Sequence, residues 1–151
     1  MGLSKQSKKN EVFDEIRKKH IPATPEELIR QSLIYLMIHR LRFPKELIAI
    51  EKQLSELPHL SALSSLPERR ADIICFAKNI HPEYPLYPLL LIECKEGKVE
   101  NGAIEQALGY NHYVQASYVA VAGSDGIQLV HPQKVPFLPS YPQLIEKLKN
   151  A

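Results

Sequence analysis

The stretch ADIICFAKNIHPEYPLYPLLLIECK, residues 71–95, decides the fold. Residues 71–77 and 88–95 are nearly continuous apolar runs, which is typical of strands buried on both faces of a sheet. Between them, residues 79–85 (NIHPEYP) contain two prolines and an asparagine, and this composition indicates a turn. We therefore predict an antiparallel hairpin made of two central strands.

Three charged residues interrupt these apolar strands: Asp72, Glu93 and Lys95. If the tip of the hairpin lies near Pro82 and Glu83, the numbers of paired residues sum to about 165, and Asp72 lies opposite Glu93. Lys95 follows Glu93 by two positions, so the two side chains project from the same face of the strand. We expect the three charged groups to converge at one end of the hairpin.

Two carboxylates this close repel each other, by roughly 4 kcal/mol at a separation of about 4 Å and an effective dielectric constant near 20. A proton or a cation relieves that repulsion, and oxygen ligands of this kind suit Mg²⁺, for which we expect Mn²⁺ to substitute. The residues fit metal-assisted hydrolysis of a phosphodiester, in which Lys95 orients the attacking water or stabilises the transition state. The alternative is a structural one, since Glu and Lys alternate on many exposed strands and charges are common where buried strands reach the surface.

Towards the N-terminus, residues 24–27 (TPEE) predict the start of a helix, with Thr24 as N-cap and Glu27 completing a capping box. Apolar residues recur at helical spacing as far as Arg42, and Pro44 stops the helix. Residues 47–51 follow as a strand. Residues 1–20 are polar and rich in lysine, and we predict a basic N-terminal tail or short helix there, with one domain over residues 21–151.

Towards the C-terminus we predict a helix over residues 101–115, strands over 117–123 and 127–130, and a final helix over 141–149. A strand–helix–strand crossover requires parallel pairing, whereas the hairpin is antiparallel. The expected fold is therefore α/β, with helices flanking a mixed sheet of four to five strands. Gln106 and Tyr110 are four residues apart on one helix face, close to the charged cluster, where they are either site residues or the polar edge of a packing face.

Length and composition exclude several classes of protein. The chain of 151 residues has room for one domain, and it contains no phosphate-binding loop, so we expect neither a motor nor a nucleotide cofactor. A net charge of +2 argues against tight, sequence-independent binding of nucleic acid by a monomer. Cys75 and Cys94 lie in apolar runs as free thiols, and with neither signal peptide nor membrane segment we expect a cytoplasmic protein.

The sequences RRADIICF (69–76), LLLIECK (89–95) and QALGY (106–110) resemble the D…E-x-K…Q-x-x-x-Y signature of the PD-(D/E)XK nuclease superfamily. The chain resembles in particular the N-terminal nuclease domain of the R subunits of type I restriction enzymes. PEELIRQ (25–31) and IAIEKQL (48–54) also resemble that group. The resemblance implies a restriction-endonuclease-like core, ordered helix, three strands, helix, strand.

The resemblance also implies roles for individual residues. Asp72 and Glu93 match the metal-binding acids and Lys95 the catalytic lysine, although Ala71 stands where the motif has proline. The resemblance further implies that Glu27 is a metal-binding acid on the first helix. It also implies that the residues that position or contact nucleic acid are Gln106, Tyr110 and Arg70.

The expected function is that of an Mg²⁺-dependent endonuclease acting on DNA, alone or as a homodimer, with motor or specificity subunits of a restriction system as possible partners. Two alternatives remain open at this point. One is a catalytically silent nuclease-fold module that binds nucleic acid or a restriction or repair partner. The other is a structural interaction domain, which leaves the convergence of Asp72, Glu93 and Lys95 unexplained.

Overall fold

The computed structural model describes residues 10–63 and 65–150. These residues form seven strands and three α-helices, with a 3₁₀ turn on either side of the third strand. In chain order the elements are β1 (Glu11–Asp14), β2 (Lys19–Pro22), α1 (Pro25–His39), β3 (Ile48–Gln53), β4 (Arg70–Lys78), β5 (Leu86–Cys94), α2 (Asn101–Val114), β6 (Tyr118–Gly123), β7 (Gly126–His131) and α3 (Tyr141–Lys149).

A five-stranded mixed sheet, in the order β3-β4-β5-β6-β7, organises the molecule. The pair β5–β6 is parallel and is joined by α2, while the other neighbouring strands are antiparallel. The predicted α/β class and restriction-endonuclease-like core are thus confirmed. In the central hairpin Ile73 pairs with Ile92 and Ile74 with Leu91, which is the register predicted from the sequence.

The helices cover both faces of the sheet. Ile34 and Met37 of α1 and Leu144 of α3 pack with Ile73 and Ile92 on one face. On the other face α2 contributes two rows of buried residues. Tyr110 and Val114 pack against β4 and β5, and Ile104 and Ala107 pack against β6. The central strands are consequently buried on both sides, so that polar groups can meet only at their ends.

Helix α1 begins where predicted but ends earlier. The Thr24 hydroxyl accepts a hydrogen bond from the Glu27 amide at 3.1 Å, which is one half of a capping box. The helix stops at His39 rather than at Arg42, because Arg42 adopts a left-handed conformation (φ 64°) two residues before Pro44. The Glu27 carboxylate does not complete the capping box but is engaged elsewhere, as described below.

The prediction of a tail or short helix over the first 20 residues is wrong for the part that the structure describes. Residues 11–22 form an antiparallel hairpin, β1–β2, and the predicted boundary at residue 20 falls inside it. The buried Asp14 carboxylate accepts hydrogen bonds from the amides of Ile16 (2.8 Å) and Arg17 (3.0 Å), and Lys18 closes the turn with φ 57°. Such local bonds from aspartate to the backbone favour a turn over a helix. The predicted tail over residues 1–9 lies outside the described residues.

Among the described residues, no helix is long and apolar enough to cross a membrane.

Candidate active site

The hairpin register brings Asp72 and Glu93 together at the end of β4 and β5 that is remote from the turn. The amide of Asp72 lies 3.5 Å from Oε2 of Glu93. Of the two Asp72 carboxylate oxygens, Oδ2 accepts a hydrogen bond from the Cys94 amide at 2.8 Å, and Oδ1 accepts one from Arg30 at 3.1 Å. Asp72 is thereby fixed in orientation, while each of its oxygens retains a further lone pair.

Glu93 is the more buried of the two acids, with 5 % of its surface exposed. Its pKa is raised to about 7, first by burial and then by the negative charge of Asp72, while the hydrogen bond from the Asp72 amide and the charge of Arg69, 3.6 Å away, oppose the rise. A glutamate in this state is poised between its neutral and charged forms near neutral pH. A cation placed beside it would favour the charged form.

Lys95 and Gln106 are in direct contact. The ammonium group of Lys95 donates a hydrogen bond to Oε1 of Gln106 at 2.9 Å, across the crossover from β5 to α2. The structure therefore brings together the lysine of the E-x-K motif and the glutamine of the Q-x-x-x-Y motif. The hydrogen bond restrains a flexible lysine side chain at the edge of the site.

Tyr110 lies about one helical turn beyond Gln106 on α2 and is 2 % exposed. Its hydroxyl is buried and has no hydrogen-bond partner among the described residues, and burial, followed by the charge of Glu93, raises its pKa to about 12. The guanidinium of Arg69 stacks over its ring at 4.4 Å. Tyr110 is thus a core residue with an unsatisfied hydroxyl, near enough to Glu93 for that charge to affect its pKa.

Arg69, rather than Arg70, reaches the pair of acids. Arg69 lies between Glu93 and the ring of Tyr110 and remains 46 % exposed, so its guanidinium is accessible to an anion. Arg70 pairs with Gln53 at the start of β4 and lines a groove with Arg17 and Glu51. The sequence offers two adjacent arginines, and their positions alone do not reveal which one turns towards Glu93.

The acid of α1 that is electrostatically linked to the site is Glu26. Burial raises the pKa of Glu26, the charge of Asp72 raises it further, and the charges of Arg30 and Lys95 lower it. The Glu27 carboxylate instead accepts hydrogen bonds from Arg30 (2.5 Å) and Gln31 (2.8 Å) inside the protein. The role of Glu27 as a metal ligand therefore stays a prediction, and Glu26 is the neighbouring acid whose pKa responds to the charge of Asp72.

A buried ion network lies behind Asp72. Arg30, 3 % exposed, joins Asp72 to Glu27 and lies 3.7 Å from Glu51. Arg17, in the turn of the β1–β2 hairpin, donates to Glu51 at 2.8 Å and to Glu27 at 3.4 Å, and also pairs with Asp14. Buried charges are tolerated only when they are paired in this way. The sequence motifs gave no sign of either arginine.

Glu51 itself departs from regular strand geometry. It has φ 51°, and the pairing of β3 with β4 skips it between Ile50 and Lys52, at the level of Asp72. A left-handed glutamate inside a strand is strained, and such irregularities are common next to functional sites. The Glu51 carboxylate forms an ion pair with Arg17 at 2.8 Å.

The acids of the site are paired with arginines. Arg17 or Arg30 forms ion pairs with Asp14, Glu27, Glu51 and Asp72, whereas Glu93 lies 3.6 Å from the half-exposed Arg69. Within residues 10–63 and 65–150, no group of three or more His, Cys, Asp or Glu side chains is arranged to hold a metal ion. Mg²⁺, however, is commonly held by one or two carboxylates together with water. Asp72 and Glu93 are neighbouring acids, with the Asp72 amide 3.5 Å from Oε2 of Glu93, and a pair of carboxylates is compatible with that mode.

A family model described as Type I restriction enzyme R protein N terminus (HSDR_N) matches residues 25–142. This range runs from the first residue of α1 into α3 and includes every predicted site residue. The comparisons with curated proteins and with solved structures found no significant match.

Proposed function

Because the chain belongs to the family of the type I restriction enzyme R protein N terminus, we propose that it is a metal-dependent endonuclease that hydrolyses phosphodiester bonds of DNA. The observation that carries the proposal is the convergence of Asp72, Glu93 and Lys95 at one end of two buried strands. We assign the site to the PD-(D/E)XK type on the same ground.

Asp72 and Glu93 are the residues that would hold Mg²⁺ or Mn²⁺, with Glu26 near enough to contribute charge. Such an ion, when bound, lowers the pKa of water and offsets the negative charge of a phosphoryl group. The Cys94 amide and Arg30 hold the Asp72 carboxylate in place, and Arg30 is itself held by Glu27. The acids are therefore pre-organised before any substrate arrives.

Lys95 is the catalytic base or electrostatic stabiliser in this proposal. Its ammonium group is directed by Gln106 and lies on the same strand face as Glu93, next to where the reacting phosphate would lie. A fixed positive charge at that position stabilises the pentavalent transition state more than the substrate. Arg69 is exposed and faces the same acids, and it is suited to contact a phosphate of the bound strand.

One observation favours a second candidate, a module that binds nucleic acid without cutting it. The Oδ1 atom of Asp72 is already ion-paired to Arg30, so a cation must share that oxygen with a buried guanidinium. If the pair never admits a metal, the site is silent although its three motif residues are present.

The deciding experiment is the nicking and linearisation of supercoiled plasmid by the purified protein in Mg²⁺, Mn²⁺ or EDTA. The wild type is compared with Lys95→Ala and with Lys98→Ala, which removes the same charge from an exposed position three residues further on. We expect metal-dependent cutting by the wild type and Lys98→Ala, and its loss in Lys95→Ala. The absence of cutting, together with the absence of Mn²⁺ binding in a calorimetric titration, would favour the silent module.

A further inference from the structure

A pocket of aromatic rings lies at the opposite end of the central hairpin from the acids. It has a volume of 480 Å³, and we call it the ring pocket. Half of the six histidines of the chain and three of its seven tyrosines line it. The six rings belong to His59, His81, Tyr84, Tyr87, His112 and Tyr113.

Three of the six rings are stacked on one another, with His81 in contact with both tyrosines. The imidazole of His81 lies parallel to the ring of Tyr87 (centroids 5.4 Å apart, 12° between planes) and close to that of Tyr84 (4.8 Å, 29°). The hydroxyl of Tyr87 is hydrogen-bonded to that of Ser117 at 3.0 Å. Side chains that are held in place in this way lose little conformational entropy when a ligand binds.

Two of the tyrosines present open surface. Tyr84 is 39 % exposed and Tyr113 is 41 % exposed, and both border the cavity. Large exposed apolar side chains that gather around one concavity indicate a binding site rather than chance exposure. The open surface and the stacked rings suit a ligand that is flat and aromatic.

The polar groups of the pocket suit a ligand that carries N–H donors, because the lining includes the side-chain amide of Gln115 and the tyrosine hydroxyls, which can accept hydrogen bonds. His59 Nε2 lies 2.8 Å from the carbonyl of Val114, so this nitrogen bears the proton and the imidazole is neutral. The described lining includes no acidic side chain, so the pocket would not repel a ligand that carries negatively charged phosphate groups.

We propose that the ring pocket binds an unpaired nucleobase of the DNA substrate. Nucleobases are flat, carry N–H donors and stack on tyrosine and histidine rings whatever their sequence. The choice of ligand class rests on the proposed nuclease function. Asp72 and Lys78 are six residues apart on β4, roughly 20 Å at about 3.3 Å per residue, so the bound base lies several nucleotides from the bond to be cut.

The test measures binding of DNA in EDTA, where no metal-dependent cleavage occurs. Fluorescence anisotropy compares a labelled duplex that carries a ten-nucleotide single-stranded overhang with a blunt duplex of the same paired sequence. The variants are Tyr84→Ala, Tyr113→Ala and Tyr84→Phe. Tyr35→Ala is the matched control, because Tyr35 is 56 % exposed on α1 and does not line the pocket.

We expect Tyr84→Ala and Tyr113→Ala each to weaken the binding of the overhang duplex by about fivefold to a hundredfold, the loss typical of one base–aromatic stack. Tyr84→Phe keeps the ring and should bind within twofold of the wild type, as should Tyr35→Ala. The blunt duplex should be bound equally by all of them. Circular dichroism verifies folding, and Tyr113→Ala, on an exposed helix face, carries the test if Tyr84→Ala is misfolded.

The inference is overturned if both alanine variants bind the overhang as the wild type does, which is also the outcome if a protein segment occupies the pocket. It is equally overturned if Tyr35→Ala weakens binding as much. Plasmid cleavage in Mg²⁺ by the same wild-type preparation separates the two proposals. If the wild type cleaves plasmid and the alanine variants bind the overhang unchanged, only the ring-pocket proposal is rejected. If the wild type binds the overhang, the alanine variants bind it more weakly and the wild type never cleaves, only the nuclease proposal is rejected.

Discussion

The two ends of the β4–β5 hairpin differ in the kind of side chain that they present, although the same pair of strands forms both. At the acid end, formed by Asp72, Glu93 and Lys95, the side chains are charged, and each has an ion-pair or hydrogen-bond partner. At the ring end, formed by the ring pocket, the side chains are aromatic and stack without ion pairs. The apolar middle of the strands separates the two ends. Charge at one end and ring stacking at the other can therefore be changed independently.

The largest effect on stability is expected from Arg30→Ala at the acid end. Removing this arginine leaves Glu27 and Asp72 without their buried cation, and breaking a buried pair in this way costs about 3–5 kcal/mol of the free energy of unfolding. Urea unfolding measures the change. Arg40→Ala, an exposed arginine at the end of the same helix, should change the free energy by less than about 0.5 kcal/mol. Equal losses in both variants would contradict the network.

Asp72→Asn should reduce metal-dependent cleavage of plasmid by at least about a hundredfold, because it removes the negative charge while keeping the size of the side chain. The matched change at the other end of the hairpin is Glu83→Gln, an exposed acid in the turn, which should cut at the wild-type rate. Initial rates of nicking measure both. A similar loss in Glu83→Gln would show that general charge, and not the site, governs the activity.

The pH dependence of stability should differ in sign between the two ends. The pKa of Glu93 is raised from 4.5 to about 7 in the folded protein, so its stabilising contribution is complete below pH 4.5 and is lost as the pH rises through 7. Relative to Glu93→Gln, the wild type should lose about 2–3 kcal/mol of unfolding free energy between pH 5 and pH 8. Urea unfolding at the two pH values measures this difference. No change relative to Glu93→Gln would mean that Glu93 is ionised throughout.

His59 at the ring end should give the opposite pH dependence of stability. Burial lowers its pKa from 6.5, and its hydrogen bond to Val114 only partly opposes this, so its contribution is complete above pH 6.5 and is lost as the pH falls. Relative to His59→Gln, the wild type should become less stable as the pH decreases from 7 to 5. The same trend in both comparisons would remove the distinction between the two ends.

The smallest effect on stability is expected from Tyr110→Phe. The variant deletes a buried hydroxyl that has no partner among the described residues, so the free energy of unfolding should rise by about 1 kcal/mol. Cleavage should fall, because the hydroxyl is an unsatisfied donor in a residue whose pKa responds to the charge of Glu93. Thermal unfolding and plasmid nicking on the same preparation measure the two properties. A loss of stability would indicate a purely structural tyrosine.

The elements that were predicted correctly are those determined by residues close together in the sequence. The hairpin register followed from two apolar runs and a turn, and the final helix was predicted over residues 141–149, where the structure has α3. The β1–β2 hairpin was missed because its lysines and acids resemble an exposed helix, whereas the bonds of one buried aspartate determine its turn.

The convergence of Asp72 with Glu93 and of Lys95 with Gln106 was predictable for the same reason, since strand alternation and a short crossover fix both. The sequence could not predict the involvement of three other residues, Arg30, Arg17 and Glu26. These residues reach the site because α1 and the N-terminal hairpin pack on the sheet. Helical periodicity gives the face of α1 but not which of two adjacent glutamates meets Asp72. Likewise, the six rings of the ring pocket are spread over more than fifty residues of sequence.

The position of Arg17 bears on where the folding unit begins. The range matched by the family starts at residue 25 and ends at residue 142, whereas Arg17 neutralises Glu27 and Glu51, and the fully buried Leu144 fills the core beneath β6. A fragment trimmed to the matched range would thus keep all the motif residues and lose a counter-ion and a core side chain. The range that the family model matches is therefore narrower than the set of residues that complete the ion network and the core, and a minimal fragment for expression should include Arg17 and Leu144.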